Sequence, residues 1–143
     1  MKNLTKWYDR SKYMGIGVDS LLTLKDVCKV LDASVLTGED SLEMTVLSAC
    51  GSDLMSDVLA FTKERTLLLT GLTNLQVIRT ADISDLSAIV FVRGKIPQPD
   101  LIAAAKERDI PLLITNHPMY EACGLLYQKG LRGCSSQPVA NYG

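Results

Sequence analysis

Three short, almost wholly apolar runs stand out along the chain: TLLLT at 66–70, AIVFV at 88–92 and PLLIT at 111–115, spaced 22–23 residues apart. Runs of this length without alternation suit strands buried on both faces. The stretches between them carry helical patterns. Thr73 with Gln76 forms a capping box that opens TNLQVIRTADI, and Pro99 suits the first turn of PDLIAAAKERD. In that second segment Leu101, Ile102 and Ala105 point inward, with Lys106, Glu107 and Arg108 outward. A last helix, MYEACGLLYQKG, ends at Gly130, a residue suited to a C-terminal cap.

The first half of the chain reads less regularly. Thr23 and Asp26 form a capping box before LTLKDVCKVLD, whose Leu24, Val27, Cys28 and Leu31 share one face. ASVLTG then reads as a short strand, GED as a turn, and MTVLSAC, from Met44, as a further strand. Gly51, Ser52 and Asp53 supply cap residues for DLMSDVLAFTK, in which Leu54, Met55, Val58, Leu59 and Phe61 make an apolar stripe. Strand–helix–strand units with connections of this length imply right-handed crossovers. The expected fold is therefore α/β, with a mainly parallel central sheet flanked by helices. The order of the first two strands stays open.

Three zones follow: a basic, glycine-containing leader over 1–19, an α/β body over 20–131, and a loose tail over 132–143. The length of 143 residues suits one domain with a real core. With 47% hydrophobic and 22% charged residues, the chain is far from a disordered composition. Its net charge of −1 offers no basic stripe for nucleic acid. The one basic concentration is the leader, where Lys2, Lys6, Arg10 and Lys12 face only Asp9. There Leu4, Trp7 and Tyr8 fall at helical spacing, a pattern for a short amphipathic helix or a self-docked terminus. A helix-turn-helix around LTLKDVCKVLDASVLTGED is excluded by Glu39, Asp40 and Glu43, which would repel phosphates. No apolar h-region follows the basic start, and no apolar run reaches membrane-spanning length, so the expectation is a cytoplasmic protein without a membrane span. Cys28, Cys50, Cys123 and Cys134 form no CxxC pair and have no histidine at ligand spacing, so they read as reduced thiols, not a metal site.

Chemistry, if present, belongs at the carboxyl ends of the strands. Candidates for ligand binding are Thr70, Gly71, Thr73 and Asn74 after the first apolar run, Arg93, Gly94 and Lys95 after the second, and Thr115, Asn116 and His117 after the third. Helix N-termini and the two cations would suit a nucleotide or another phosphate. The same residue types are also what any strand-to-helix turn requires. His117 is the lone histidine, and before Pro118 it reads as a loop residue sooner than as a base. Asp53 and Asp57, four apart, are placed on one helical face, where solvated or capping carboxylates are the plainer reading than metal ligands. Ser48, Ser52 and Ser56 lack a nucleophile-elbow context, and GxxxxGK[ST], GxGxxG and HExxH are all absent.

From Leu22 to Arg132 the chain resembles the DRTGG domain family, including its small stand-alone members. The stretches that carry this are LTLKDVCKVLDASVLTGED, SDLMSDVLAF and IVFVRGKIPQPDLIAAAKERDIPLLITNHPMYEACGLLY, in that order and spacing. The resemblance implies a fold like the N-terminal domain of HPr kinase/phosphorylase, related to Mur ligase N-terminal domains. It also implies a module that elsewhere accompanies phosphotransacetylase-like domains and, with CBS domains, family II pyrophosphatases, where the neighbouring domain does the catalysis. No catalytic residue carries over. The family's Thr-Gly-Gly after the fourth strand is here Val92-Arg93-Gly94-Lys95, with lysine at the second glycine. The expectation is a non-catalytic regulatory or interaction module, homodimeric and without cofactor or metal, with a separate catalytic or signalling protein as a further partner. The alternative is a sensor for a nucleotide or other phosphorylated small molecule at the strand-end edge.

Overall fold

The computed structural model describes residues 21–134. The amphipathic pattern expected over 2–10, and the part of the tail beyond 134, lie outside the described residues. The described elements are α1 (Leu24–Leu31), β1 (Ser34–Thr37), β2 (Ser48–Gly51), α2 (Met55–Phe61), β3 (Thr66–Thr70), α3 (Leu75–Ile83), β4 (Ala88–Phe91), α4 (Pro99–Glu107), β5 (Leu112–Ile114) and α5 (Met119–Gln128). They build an α/β fold around one five-stranded sheet of order β1-β5-β4-β3-β2. Strands β2 to β5 are mutually parallel, in registers that pair Ala49 with Leu67, Leu68 with Ile89 and Val90 with Leu113. β1 runs antiparallel to β5 and closes the far edge.

The winding explains the layers. From β2 to β5 each strand lies beside its predecessor, so successive crossovers of one hand put their helices on one face. That face holds Met55 and Val58 of α2, Val77, Ile78 and Ala81 of α3, and Leu101 and Ala105 of α4, packed on Leu68, Ile89, Phe91 and Leu112. The opposite face holds Leu24, Val27 and Leu31 of α1 and Ala122 and Leu126 of α5, packed on Leu67, Leu69, Val90 and Leu113. Alternate residues of the apolar runs thus feed two cores, which is why the only polar positions in the runs are the threonines at their ends. Leu67, Leu68 and Leu69 are all sealed from solvent, each burial stabilising by about 2 kcal/mol.

Most local signals act as read. The Thr23–Asp26 capping box is present, with the Asp26 amide donating to Thr23 Oγ1 at 3.2 Å and the Thr23 amide to Asp26 Oδ2 at 2.9 Å. Pro99 opens α4, and Gly130, with φ +98°, follows the end of α5. Three readings are corrected. The cap of α3 is Asn74, not Thr73: Asn74 Oδ1 accepts from the Gln76 amide at 3.1 Å, and the helix begins one residue later than the Thr73–Gln76 pairing implies. The strand placed from Met44 begins only at Ser48, since 44–46 are drawn to the start of α1 by bonds from Leu24 N to Met44 O and from Val46 N to Leu22 O, both 2.8 Å. The turn read at GED is present, refined only to a single 3₁₀ turn at Glu39–Ser41. On α2 only Met55 and Val58 of the supposed stripe are buried; Leu54, Leu59 and Phe61 are exposed, because among the described helices α2 stands at the end of its layer, beside α3.

Candidate functional site

Parallel β2 to β5 bring their carboxyl ends to one edge of the sheet, so all ten sequence-derived candidates fall at the strand ends, loops and helix starts along it. Across the middle of that row, Thr70-Gly71 ends β3, Arg93-Gly94-Lys95 follows β4, and Thr115-Asn116-His117 follows β5. Asn74 is the cap of α3, and Thr73 directly precedes it.

The β3 end is organised by a residue from the neighbouring strand. Asp53, two positions beyond β2, accepts on Oδ1 from the Thr70 hydroxyl at 3.0 Å and from the Gly71 amide at 2.7 Å. Thr70 Oγ1 in turn accepts from the Leu72 amide at 3.1 Å. Asp53 is therefore neither a cap of α2 nor on one helical face with Asp57. The α2 start is instead steadied by Ser52, whose Oγ accepts from the Leu54 amide at 3.0 Å. Gly71 is buried between opposite charges. A Cβ placed there would stand 3.3 Å from a guanidinium nitrogen of Arg93 and 3.6 and 3.7 Å from the two Asp53 carboxylate oxygens. A carboxylate thus occupies the place at the β3 amide where an external anion would bind.

The β4 turn is built by backbone geometry. Arg93 and Gly94 both take left-handed conformations, with φ +58° and +64°. Their amides donate to His117 O at 2.9 Å and Thr115 O at 2.8 Å, tying the turn to the β5 end. Gly94 is required twice over: its φ is positive, and a Cβ would sit 2.8 Å from Asn116 Oδ1. Lys95 and Arg93 both face solvent.

At the β5 end, Thr115 works inward. It is buried, and its hydroxyl donates to the Leu31 carbonyl at the end of α1 at 2.7 Å, while its Oγ1 accepts from the His117 amide at 3.2 Å. His117 takes part through its backbone, and Pro118 follows as the cap position of α5. Among the described residues no group of three or more histidine, cysteine or carboxylate side chains is placed to hold a metal ion, and no helix is long and apolar enough to cross a membrane.

The arrangement is a three-layer α/β domain whose strand-end edge combines an internal carboxylate–amide contact with two exposed cations. No family model matches the chain, and no curated protein matches it. Among solved structures it is similar to the CBS and DRTGG domains of the regulatory region of Clostridium perfringens pyrophosphatase, complexed with the activator diadenosine tetraphosphate. The TM-score is 0.63 at 17% identity, over 78% of this chain and 48% of that one, so the chain spans about half the length of its structural neighbour. The likeness is one of fold, and it is to a regulatory region.

Proposed function

We propose that this chain is a non-catalytic regulatory module of the DRTGG type that acts in the cytosol by association, first of all with a second copy of itself. The observation that carries the reading is the inward use of the strand-end polar groups. Asp53 is bound to Thr70 and Gly71, Thr115 to Leu31, and the β4 turn to the β5 loop. Such an edge is suited to holding a shape. The outer surface supplies the other half of the argument, since Leu54, Leu59, Phe61, Leu75, Ile83, Ile96, Tyr120 and Tyr127 are exposed large apolar side chains. The fold it shares with a pyrophosphatase regulatory region fits a partner protein that carries the chemistry.

Co-expression of a tagged and an untagged copy tests the reading. Recovery of the untagged chain with the tagged one supports it, and its absence at tens of micromolar would be contrary.

A second reading rests on Arg93. Its guanidinium stands against Gly71 in the middle of the edge, with Lys95 two residues on, and the structural neighbour is complexed with a nucleotide activator. Under this reading the edge senses a phosphate-bearing small molecule held by Arg93, Lys95 and the turns at Thr73 and Asn116. A thermal-shift series with adenine nucleotides and inorganic phosphate decides it. No stabilisation by any of them at millimolar concentration removes it.

A further inference from the structure

The open edge of β2 is covered by the chain's last described residues. After α5 the backbone turns back through Leu131, which is buried and whose amide donates to Leu126 O at 3.1 Å. Residues 132–134, the first of the expected tail, then run alongside β2. Ala49 N donates to Arg132 O at 2.9 Å and Cys134 N donates to Ala49 O at 3.2 Å, which pairs Ala49 with Gly133 in parallel sense. One residue further along each strand, in the same register, Cys50 stands opposite Cys134.

In-register neighbours project to the same face of a sheet. Both cysteines fit that rule. Cys50 packs against the core under α2, α3 and α4, and the Cys134 thiol donates to the carbonyl of Phe61 at the end of α2, at 3.7 Å. Paired strands lie about 4.8 Å apart, inside the range of about 4.4–6.8 Å that a disulfide needs between its α-carbons. The other two cysteines belong to the opposite face. Cys123 on α5 and Cys28 on α1 pack in the core beneath those helices, and Cys123 Sγ would meet a Cβ on Gly51 at 2.7 Å.

We propose that Cys50 and Cys134 are a redox pair whose disulfide locks residues 131–134 onto β2 as a sixth strand. The oxidant is a low-molecular-weight disulfide of the glutathione class. The thiolate of one cysteine attacks a sulfur of glutathione disulfide, giving a mixed disulfide and releasing one glutathione. The thiolate of the second cysteine then displaces the remaining glutathione. Two protein thiols are oxidised, one glutathione disulfide is reduced to two glutathione molecules, and the two thiol protons leave with them. In the reduced state the segment is held by two backbone bonds to Ala49, by buried Leu131, by the Cys134 contact to Phe61 O and by Arg132, which donates to Tyr127 Oη at 2.7 Å; its release bares an unpaired strand edge on which another chain could add. Oxidation seals that edge.

The test uses the full-length chain, equilibrated with glutathione disulfide or with a reducing thiol, then alkylated, digested without reduction and mapped by mass spectrometry. The expected result is loss of two of the four alkylatable thiols and a peptide joining Cys50 to Cys134. The same bond forms in a Cys28→Ser/Cys123→Ser variant. Four thiols still alkylatable after oxidation, persistent glutathione adducts on Cys50 or Cys134, or a bond that includes Cys28 or Cys123 would each overturn the proposal.

Discussion

Replacing Asp53 probes whether the strand-end edge is held together from within. Its Oδ1 accepts from the buried Gly71 amide at 2.7 Å and from the Thr70 hydroxyl at 3.0 Å. Asp53→Ala leaves the amide without its charged acceptor, and bonds to charged groups contribute about 1.5–3 kcal/mol. The Thr70 hydroxyl rotates to another acceptor, so its share is below about 1 kcal/mol. The expected loss is about 2–3 kcal/mol. With a urea slope of about 1.5 kcal/mol/M for a domain of this size, the midpoint falls by about 1.3–2 M. Asp53→Asn keeps an acceptor at the same place without the charge and loses about 1 kcal/mol. Glu43→Ala, at an exposed position, serves as the control and stays within about 0.5 kcal/mol of the parent. Urea unfolding followed by circular dichroism measures all three. If Asp53→Ala matches Glu43→Ala, the carboxylate does not organise the edge and the argument built on it fails.

Thr115→Val deprives the Leu31 carbonyl of its buried hydroxyl donor and costs about 1–3 kcal/mol in the same assay, whereas Thr115→Ser retains most of the stability. Leu68→Ala, in the middle of the sheet and sealed from solvent, costs about 2–5 kcal/mol through lost burial and a residual cavity, read as a lowered urea midpoint. Burial, with smaller contributions from Cys134, Cys123 and Asp57, lifts the Cys50 thiol from 9.0 to about 11. The unfolded chain therefore releases this proton first, and stability falls as pH rises from about 9 towards 11. The full displacement corresponds to just under about 3 kcal/mol; solvent screening at this half-buried group leaves about 1–2 kcal/mol. Urea midpoints at about pH 8 and pH 10.5 should differ less in Cys50→Ser than in the parent.

The architecture was legible wherever one residue run answered to one environment. TLLLT, AIVFV and PLLIT are apolar apart from the threonines that end the first and third because each is covered by helices on both faces, and their spacing of 22–23 residues leaves room for one helix per crossover. Thr23 with Asp26, and Pro99, work through contacts within four residues, so sequence alone carries them. The start of β2 was not legible, because 44–46 is drawn to α1 by backbone bonds to Leu22 and Leu24 that no side-chain pattern records. The exposure of Phe61 follows from α2 standing at the end of its layer among the described helices, which is a matter of strand order. At the edge, Gly, Thr and Asn marked the loops correctly in place. Their chemistry hinged on Asp53 crossing from β2 to β3, a contact 17 or 18 residues apart that becomes visible only once those strands are known to be adjacent and parallel.

The proposal that the chain regulates by associating with itself is tested most directly by sedimentation velocity of the purified protein from about one to about one hundred micromolar, which brackets micromolar dissociation constants. The account predicts a species of twice the 15.6 kDa chain mass that persists through the upper part of that range. A single boundary at 15.6 kDa at every concentration would contradict it.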